Sequence, residues 1–255
     1  MTDVAAPVIA FRGVGVTYRK GPVWNRTEVP AVGAVDLEIA AGETLGLVGE
    51  SGSGKTTLGR VALGLIRPSR GEFLIEGRPF DPAIRREGAL SVVLQHPEWA
   101  LNPRLRCGVS VAEPLTIRGD LDRQARRQRV ASMLERVGLD PGFAERYPGD
   151  LSGGQRQRMA IARALITEPR FIVFDEAVSA LDVSVQAQIL NLIRELQAEH
   201  RFAAIFISHD LAATRYISHR IAVMLKGDIV EVAPARTFYD MPAHDYSRAL
   251  YATIR

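Results

Sequence analysis

Residues 49–56 read Gly-Glu-Ser-Gly-Ser-Gly-Lys-Thr and match the pattern G-x-x-x-x-G-K-[ST]. The chemistry such a string can do is the holding of phosphate. Gly49, Gly52 and Gly54 let the backbone wrap close to an anion. The loop N–H groups around Glu50, Ser51 and Ser53, with those of the helix that follows, supply positive potential. Lys55 would reach the outer phosphates as a compact point charge, Thr56 would offer a hydroxyl to Mg²⁺, and Thr57 lies beside it in the first helical turn. The composition sharpens the reading of Lys55. Of 32 basic residues only Lys20, Lys55 and Lys226 are lysine. An ammonium suits this position better than a planar guanidinium, so Lys55 has a reason to be lysine that the other two lack.

A second group is acidic. The apolar run Phe171–Phe174 ends in Asp175 and Glu176. A buried strand that finishes in two carboxylates sets them at the C-terminal edge of a parallel sheet, beside the phosphate loop in a doubly wound fold. There Asp175 would hold the Mg²⁺ shell, and Glu176 would orient and deprotonate an attacking water. Neighbouring strand residues point to opposite sides, so the two acids are expected to do different jobs. A third group is Leu151-Ser152-Gly153-Gly154-Gln155, just before a helical pattern. Ser152 is suited to cap that helix, and the glycines would open its N–H groups to an anion. Residue types alone also allow a plain N-cap in a flexible loop.

The elements that must position these groups follow from apolar periodicity. Thr44–Val48, Leu90–Leu94, Phe171–Phe174 and Ala203–Ile207 read as buried strands, with helix-period segments at Lys55–Leu65, Arg123–Val137, Gln155–Ile166 and Val185–Ala198. This alternation implies an α/β fold with a largely parallel sheet. Two antiparallel pairs are expected, Ile9–Tyr18 with Ala34–Ile39 and Ile221–Leu225 with Ile229–Val232, the second joined by a tight turn at Gly227-Asp228. Residues Arg19–Pro30 read as a polar loop. The proline-rich stretch from about His96 to Asp150 reads as a helical insertion.

Charge and cysteine usage narrow the classes. A formal net charge of +3 is well short of a chain built around nucleic acid. Arg123, Arg126, Arg127 and Arg129 carry no interleaved aromatics and read as a solvated helix face. Cys107, the single cysteine, excludes an internal disulfide and any cysteine-ligated zinc or iron–sulfur site held by this chain alone, and reads as a packing residue. No run of about 18 apolar residues and no signal-like start is present, so a soluble, reduced, intracellular domain is expected.

Taken in order, the phosphate loop, Leu-Ser-Gly-Gly-Gln and the strand ending in Asp-Glu resemble the ATP-binding subunit of an ABC transporter across nearly the whole chain. The resemblance implies a P-loop NTPase core of RecA-like type, with an antiparallel β subdomain and an inserted helical subdomain. In one ATPase domain over 1–255, the core would take 1–95 and 151–233, the helical subdomain 96–150 and a C-terminal helical segment 234–255. It implies ATP and Mg²⁺, and assigns further residues. Tyr18 would stack on adenine, Gln95 would sense the metal and the membrane partner, Ser179–Asp182 resembles the D-loop, and His209 would contact the γ-phosphate. Two cassettes close head to tail in this family, so Ser152, Gly153, Gly154, Gln155 and Asp182 would serve the ATP held on the other cassette's phosphate loop.

Further strings are similar to those of oligopeptide, dipeptide and nickel importers: Leu101-Asn102-Pro103-Arg104, Arg146-Tyr147-Pro148, the run Ser179–Gln188, and Met241–Leu250 near the C-terminus. Departures fall at Gln95-His96-Pro97, at Ala100 and at Ala177-Val178. The implied assembly has a second cassette, alike or unlike, two transmembrane permease subunits and an extracytoplasmic solute-binding protein. It has no nucleic acid, and the chain would sit peripherally on the cytoplasmic face of the inner membrane. The expected function is to power import of peptides, nickel or metal chelates. Exporter cassettes and ABC-type ATPases acting on DNA or ribosomes are the alternatives. The 57 residues from Gln95 to Ser152 leave no room for a long coiled coil, and one chain carries one cassette.

Overall fold

The computed structural model describes residues 7–22, 26–81 and 88–252. The first half of the chain runs through β1 (Ile9–Lys20), β2 (Thr27–Ile39), β3 (Thr44–Val48), α1 (Lys55–Ala62), β4 (Arg70–Ile75), β5 (Arg78–Pro79), β6 (Leu90–Leu94), α2 (Cys107–Arg118) and α3 (Arg123–Arg136). Then follow α4 (Gly153–Leu165), β7 (Phe171–Asp175), α5 (Val183–His200), β8 (Ala203–Ile207), α6 (Leu211–Ile217), β9 (Arg220–Leu225), β10 (Asp228–Pro234), α7 (Ala235–Phe238) and α8 (Asp245–Ala252). The chain divides into two compact units, residues 1–84 with 203–255, and residues 85–202.

In the first unit, β10, β9, β3 and β8 lie side by side in that order. Strand β3 is parallel to both β8 and β9, and β10 is antiparallel to β9. Every residue of β3 and β8 is buried, which is why each reads as an unbroken apolar run rather than an alternating one. A separate antiparallel sheet has the order β2-β1-β4-β5.

Two expectations need correcting here. The polar loop Arg19–Pro30 is strand at both ends: β1 continues to Lys20 and β2 begins at Thr27, with Arg19 opposite Glu28 and Thr17 opposite Pro30. Pro30 is tolerated because β2 is an edge strand, and Arg19 and Glu28 form a cross-strand ion pair at 3.3 Å. Residues 23–25 of that stretch lie outside the described residues. The later hairpin turns one residue earlier than expected, since Leu225 pairs with Asp228. Its two turn residues are Lys226 and Gly227, with φ +48° and +96°, the pattern of a type I′ turn. Glu76 and Gly77, between β4 and β5, make the same kind of turn with φ +49° and +74°.

In the second unit β6 and β7 form a parallel pair, with Leu90 opposite Phe171 and Leu94 opposite Asp175. Helix α2 escaped the sequence reading because Pro114 interrupts its pattern. Its buried residues Cys107, Ser110, Val111 and Leu115 nevertheless keep the helical spacing, and Gly119 ends it in the left-handed region. Cys107 is fully buried at its start, and burial pushes the thiol up from its ordinary range, as suits a packing residue. On α3, Arg129 pairs with Glu168, while Arg123 and Arg127 are exposed.

Candidate nucleotide-binding site

The phosphate-loop residues occupy the turn from β3 into α1. Gly54 is the N-cap of α1 in the left-handed region at φ +111°, and no side chain caps the helix. The loop is closed from beneath by the β9–β10 hairpin. A Cβ at Gly49 would stand 2.1 Å from the Met224 carbonyl oxygen, and one at Gly54 would stand 2.4 Å from the Ala31 carbonyl oxygen. Gly227 N–H donates to the Ser53 carbonyl at 2.9 Å. Lys55 and Ser53 are buried, Thr56 is exposed, and Lys55 Nζ donates to the carbonyls of Gly49 and Glu50 at 2.7 Å each. The ammonium is thereby held within the curl of the loop. This cradle fits the phosphates of ATP: it offers backbone N–H groups, a fixed cation, and a surface bare of side chains at the glycines.

Two more candidates lie in the same unit. The Tyr18 hydroxyl is 3.3 Å from the Thr57 hydroxyl, so β1 brings this aromatic against the first turn of α1. His209 is exposed and leaves β8 two residues after Ile207, the partner of Leu47. Gly49 leaves β3 two residues after Leu47, so the histidine and the phosphate loop depart from adjacent strands at one edge. Asp210 caps α6 directly after the histidine, accepting from Ala213 N–H at 3.0 Å.

The second unit holds the other candidates. Gln95 and Glu176 are next to one another in register, each following a strand end, since Leu94 pairs with Asp175. The sequence argument from strand alternation does not hold for the two acids, because β7 ends at Asp175. Glu176 instead leaves the strand with φ +52°, a left-handed conformation that costs a non-glycine residue about 1–2 kcal/mol. The Ser179 N–H and hydroxyl both donate to its carbonyl, at 3.1 and 2.9 Å, and hold the turn. Ser152 caps α4, two residues earlier than the helical pattern suggests. Its hydroxyl accepts from Gln155 N–H at 3.3 Å, and its own N–H donates to Gln155 Oε1 at 2.9 Å, a full capping box. Asp182 caps α5 with its side chain alone, accepting from Val185 N–H at 3.0 Å with no reciprocal bond. The Val185 N–H, then the Ser184 hydroxyl, hold its carboxyl below the usual range. A Cβ at Gly154 would stand 2.7 Å from Val185 Cγ1, so the starts of α4 and α5 touch. Oxygen donors of the kind Mg²⁺ takes are present in Thr56 and Asp175.

One contact was missed by sequence reasoning. The Glu50 N–H donates to the Tyr246 hydroxyl at 2.9 Å, which ties the C-terminal helix to the phosphate loop. The only signal was that Tyr246 lies in the importer-like string Met241–Leu250.

A family model described as ABC transporter matches residues 32–179. A Brucella abortus (strain 2308) protein whose name calls it a peptide import ATP-binding protein is 47% identical over 239 residues, covering 91% of this chain and 72% of that protein. The glutathione import ATP-binding protein GsiA of Salmonella typhimurium is 46% identical over 259 residues, covering 97% of this chain and 41% of GsiA. Among solved structures, the dimeric ATP-binding cassette MJ0796 in a post-hydrolysis state with ADP and Pi matches at TM-score 0.76 and 30% identity, over 89% of this chain and 99% of that one. The cbiO1 cassette of Clostridium perfringens shares the fold at TM-score 0.81 and 23% identity, over 98% and 96% of the two chains. The chain belongs to the ABC transporter family. It is an ATP-binding cassette with the P-loop NTPase fold, the class of ATPase that couples hydrolysis to transport. Among the described residues no helix is long and apolar enough to cross a membrane.

Proposed function

We propose that this cassette powers the import of short peptides. The observation that carries the reading is the 46–47% identity, over nine-tenths or more of this chain, to cassettes named for peptide and for glutathione import, glutathione being itself a tripeptide. The assembly we infer contains a second cassette, two transmembrane permease subunits and an extracytoplasmic binding protein that selects the peptide. The chain would dock on the cytoplasmic face of the membrane, through the helical segment 96–150 and Gln95.

In this reading the residues divide the work as follows. The loop 49–57 binds the phosphates, with Lys55 neutralising charge on the outer ones, and Tyr18 stacks on adenine. Thr56, Asp175 and Gln95 hold Mg²⁺, which draws electron density from the phosphates when bound. Glu176 takes the proton of the attacking water, and His209 donates to the γ-phosphate. Ser152, Gly153, Gly154, Gln155 and Asp182 complete the site on the opposing cassette, which gives one chain a reason to carry two anion-binding devices.

The test is a reconstituted transporter with Glu176→Gln in every cassette that carries this glutamate. Glutamine keeps size and hydrogen bonding but cannot take a proton, and loss of a general base typically costs about 10²–10⁴ in rate. Phosphate release should fall by that factor while an ATP-bound dimer accumulates on size-exclusion chromatography. In the wild-type transporter, a binding protein loaded with a dipeptide or glutathione should stimulate hydrolysis, and one loaded with a nickel chelate should not. Near-normal phosphate release by the variant would falsify the role of Glu176, and stimulation by the nickel chelate alone would overturn peptide import.

A further inference from the structure

The C-terminal segment is tied to the phosphate loop by more than packing. Ala235, Phe238 and Tyr239 are buried in one apolar cluster with Val48, the residue before Gly49, and with Leu211, Ile221 and Val223. Tyr246, Leu250 and Tyr251 of α8 pack against the same cluster. Polar contacts fix the path between α7 and α8. The Glu231 carboxylate accepts from the N–H groups of Ala243 and His244 at 2.9 and 3.0 Å, and His244 Nδ1 accepts from Tyr246 N–H at 3.1 Å. Burial pushes the Glu231 carboxyl up, but Ser247 and the two N–H groups outweigh it and leave it below its ordinary value, so it stays an acceptor near neutral pH. The Tyr239 hydroxyl donates to the Leu211 carbonyl at 2.5 Å, at the start of the helix that follows His209.

The Tyr246 hydroxyl sits at the end of this strap and accepts from Glu50 N–H at 2.9 Å. That N–H belongs to the same planar peptide as the Gly49 carbonyl, which accepts from Lys55 Nζ at 2.7 Å on the other side. Because the peptide is planar and trans, its N–H and its carbonyl point in opposite directions, and a bond that fixes the one fixes the other. One hydrogen bond on the N–H therefore decides where the carbonyl points, and the carbonyl decides where the ammonium rests.

We propose that Tyr246 is a positioning residue for ATP binding: its hydroxyl locks the Gly49–Glu50 peptide and so holds the Lys55 ammonium where it meets the β- and γ-phosphates. The proposal rests on the reading of residues 49–57 as the phosphate cradle. Tyr246 touches no nucleotide in this scheme and acts only through the loop.

The experiment compares the wild-type chain with Tyr246→Phe, which keeps the ring and its packing and removes the hydroxyl. Affinities are measured for ATP, ADP and AMP with Mg²⁺, beside a melting curve. Loss of one neutral hydrogen bond predicts about a three- to tenfold weakening for ATP and ADP. AMP lacks the phosphates that Lys55 reaches, so its affinity should not change, and the melting temperature should hold. Equal weakening of all three nucleotides, or a lowered melting temperature, would make the contact merely structural and overturn the proposal. Unchanged ATP and ADP affinity would overturn it as well. Lys55→Ala, run in parallel, separates the two levels. If it weakens ATP while Tyr246→Phe does not, only the positioning role fails. If it leaves ATP affinity intact, the cradle reading fails and takes the positioning role with it.

Discussion

Helices α1 and α4 both begin in glycine-rich strings that expose backbone N–H groups, yet the two starts are built in opposite ways. At α1 the N-cap is Gly54, no side chain serves as cap, and the loop before it is braced from outside by the β9–β10 hairpin and by Tyr246. At α4 the N-cap is Ser152, and Ser152 and Gln155 satisfy one another's N–H groups. The first start leaves its donors for a ligand and needs the rest of its unit to hold its shape. The second is complete in itself, a stiff surface ready to meet something. The glycines repeat the contrast. Gly49 and Gly54 are required by this chain, because a Cβ would strike backbone oxygens. Gly153 is not: its φ is not positive, and the nearest atom to a would-be Cβ is Leu181 Cδ2 at 3.9 Å. Under the proposed pairing of two cassettes, the opposing cassette's nucleotide would approach Gly153 from outside the chain.

The comparison can be broken by substitution, and the largest effect should come at Lys55. Lys55→Ala removes charge-assisted contacts to phosphate and should weaken ATP binding about 10- to 100-fold, read by calorimetry, with the melting temperature retained. Ser152→Ala should leave that binding untouched in the isolated chain. If both weaken it equally, the division of roles between the two starts is wrong.

Glycine substitutions sharpen it further. Gly54→Ala combines left-handed strain with a clash against Ala31 and should destabilise the chain by about 2–4 kcal/mol in urea unfolding. Gly153→Ala should be neutral or stabilise by up to about 1 kcal/mol, while lowering ATP hydrolysis in the assembled transporter. A Gly153→Ala chain that is both stable and fully active would remove the argument for close approach.

The smallest loss of stability is expected from Ser152→Ala. Loss of the cap should cost about 1 kcal/mol, seen as an earlier urea midpoint at unchanged slope. No change at all would mean that the capping box at α4 contributes nothing in solution.

Much of this was legible because burial writes itself into short apolar runs. Thr44–Val48, Leu90–Leu94 and Ala203–Ile207 are strands with the bounds their sequence gives, each followed by a turn or polar residue, although in Leu90–Leu94 only Val93 is buried and the rest is half-buried, short of the buried strand expected. The motif residues were legible for a different reason, since few residue types can cradle phosphate or end a buried strand in two acids. What stayed hidden depends on partners distant in sequence. The β1–β2 extension is polar and is set by its pairing register rather than by apolar periodicity, and α2 is held by packing despite Pro114. The Tyr246 contact spans 196 residues and uses a backbone N–H, which no side-chain pattern reports. Glu176 is the instructive case: its role was read from the strand end, but its direction comes from a left-handed turn that strand geometry cannot supply.

The two type I′ turns bear on where the chain can be labelled. At Glu76-Gly77 nothing lies within 4 Å of the position a Gly77 side chain would take. At Lys226-Gly227 the N–H donates to Ser53, the carbonyl accepts from Gly33 N–H at 2.8 Å, and a Cβ would stand 3.2 Å from Gly33 N. Tight turns facing open space are the sites where inserted sequence is tolerated. A fluorophore or an epitope spliced between Glu76 and Gly77 should therefore report on the cassette without disturbing it, whereas the same insertion between Lys226 and Gly227 would pull the floor from under the nucleotide.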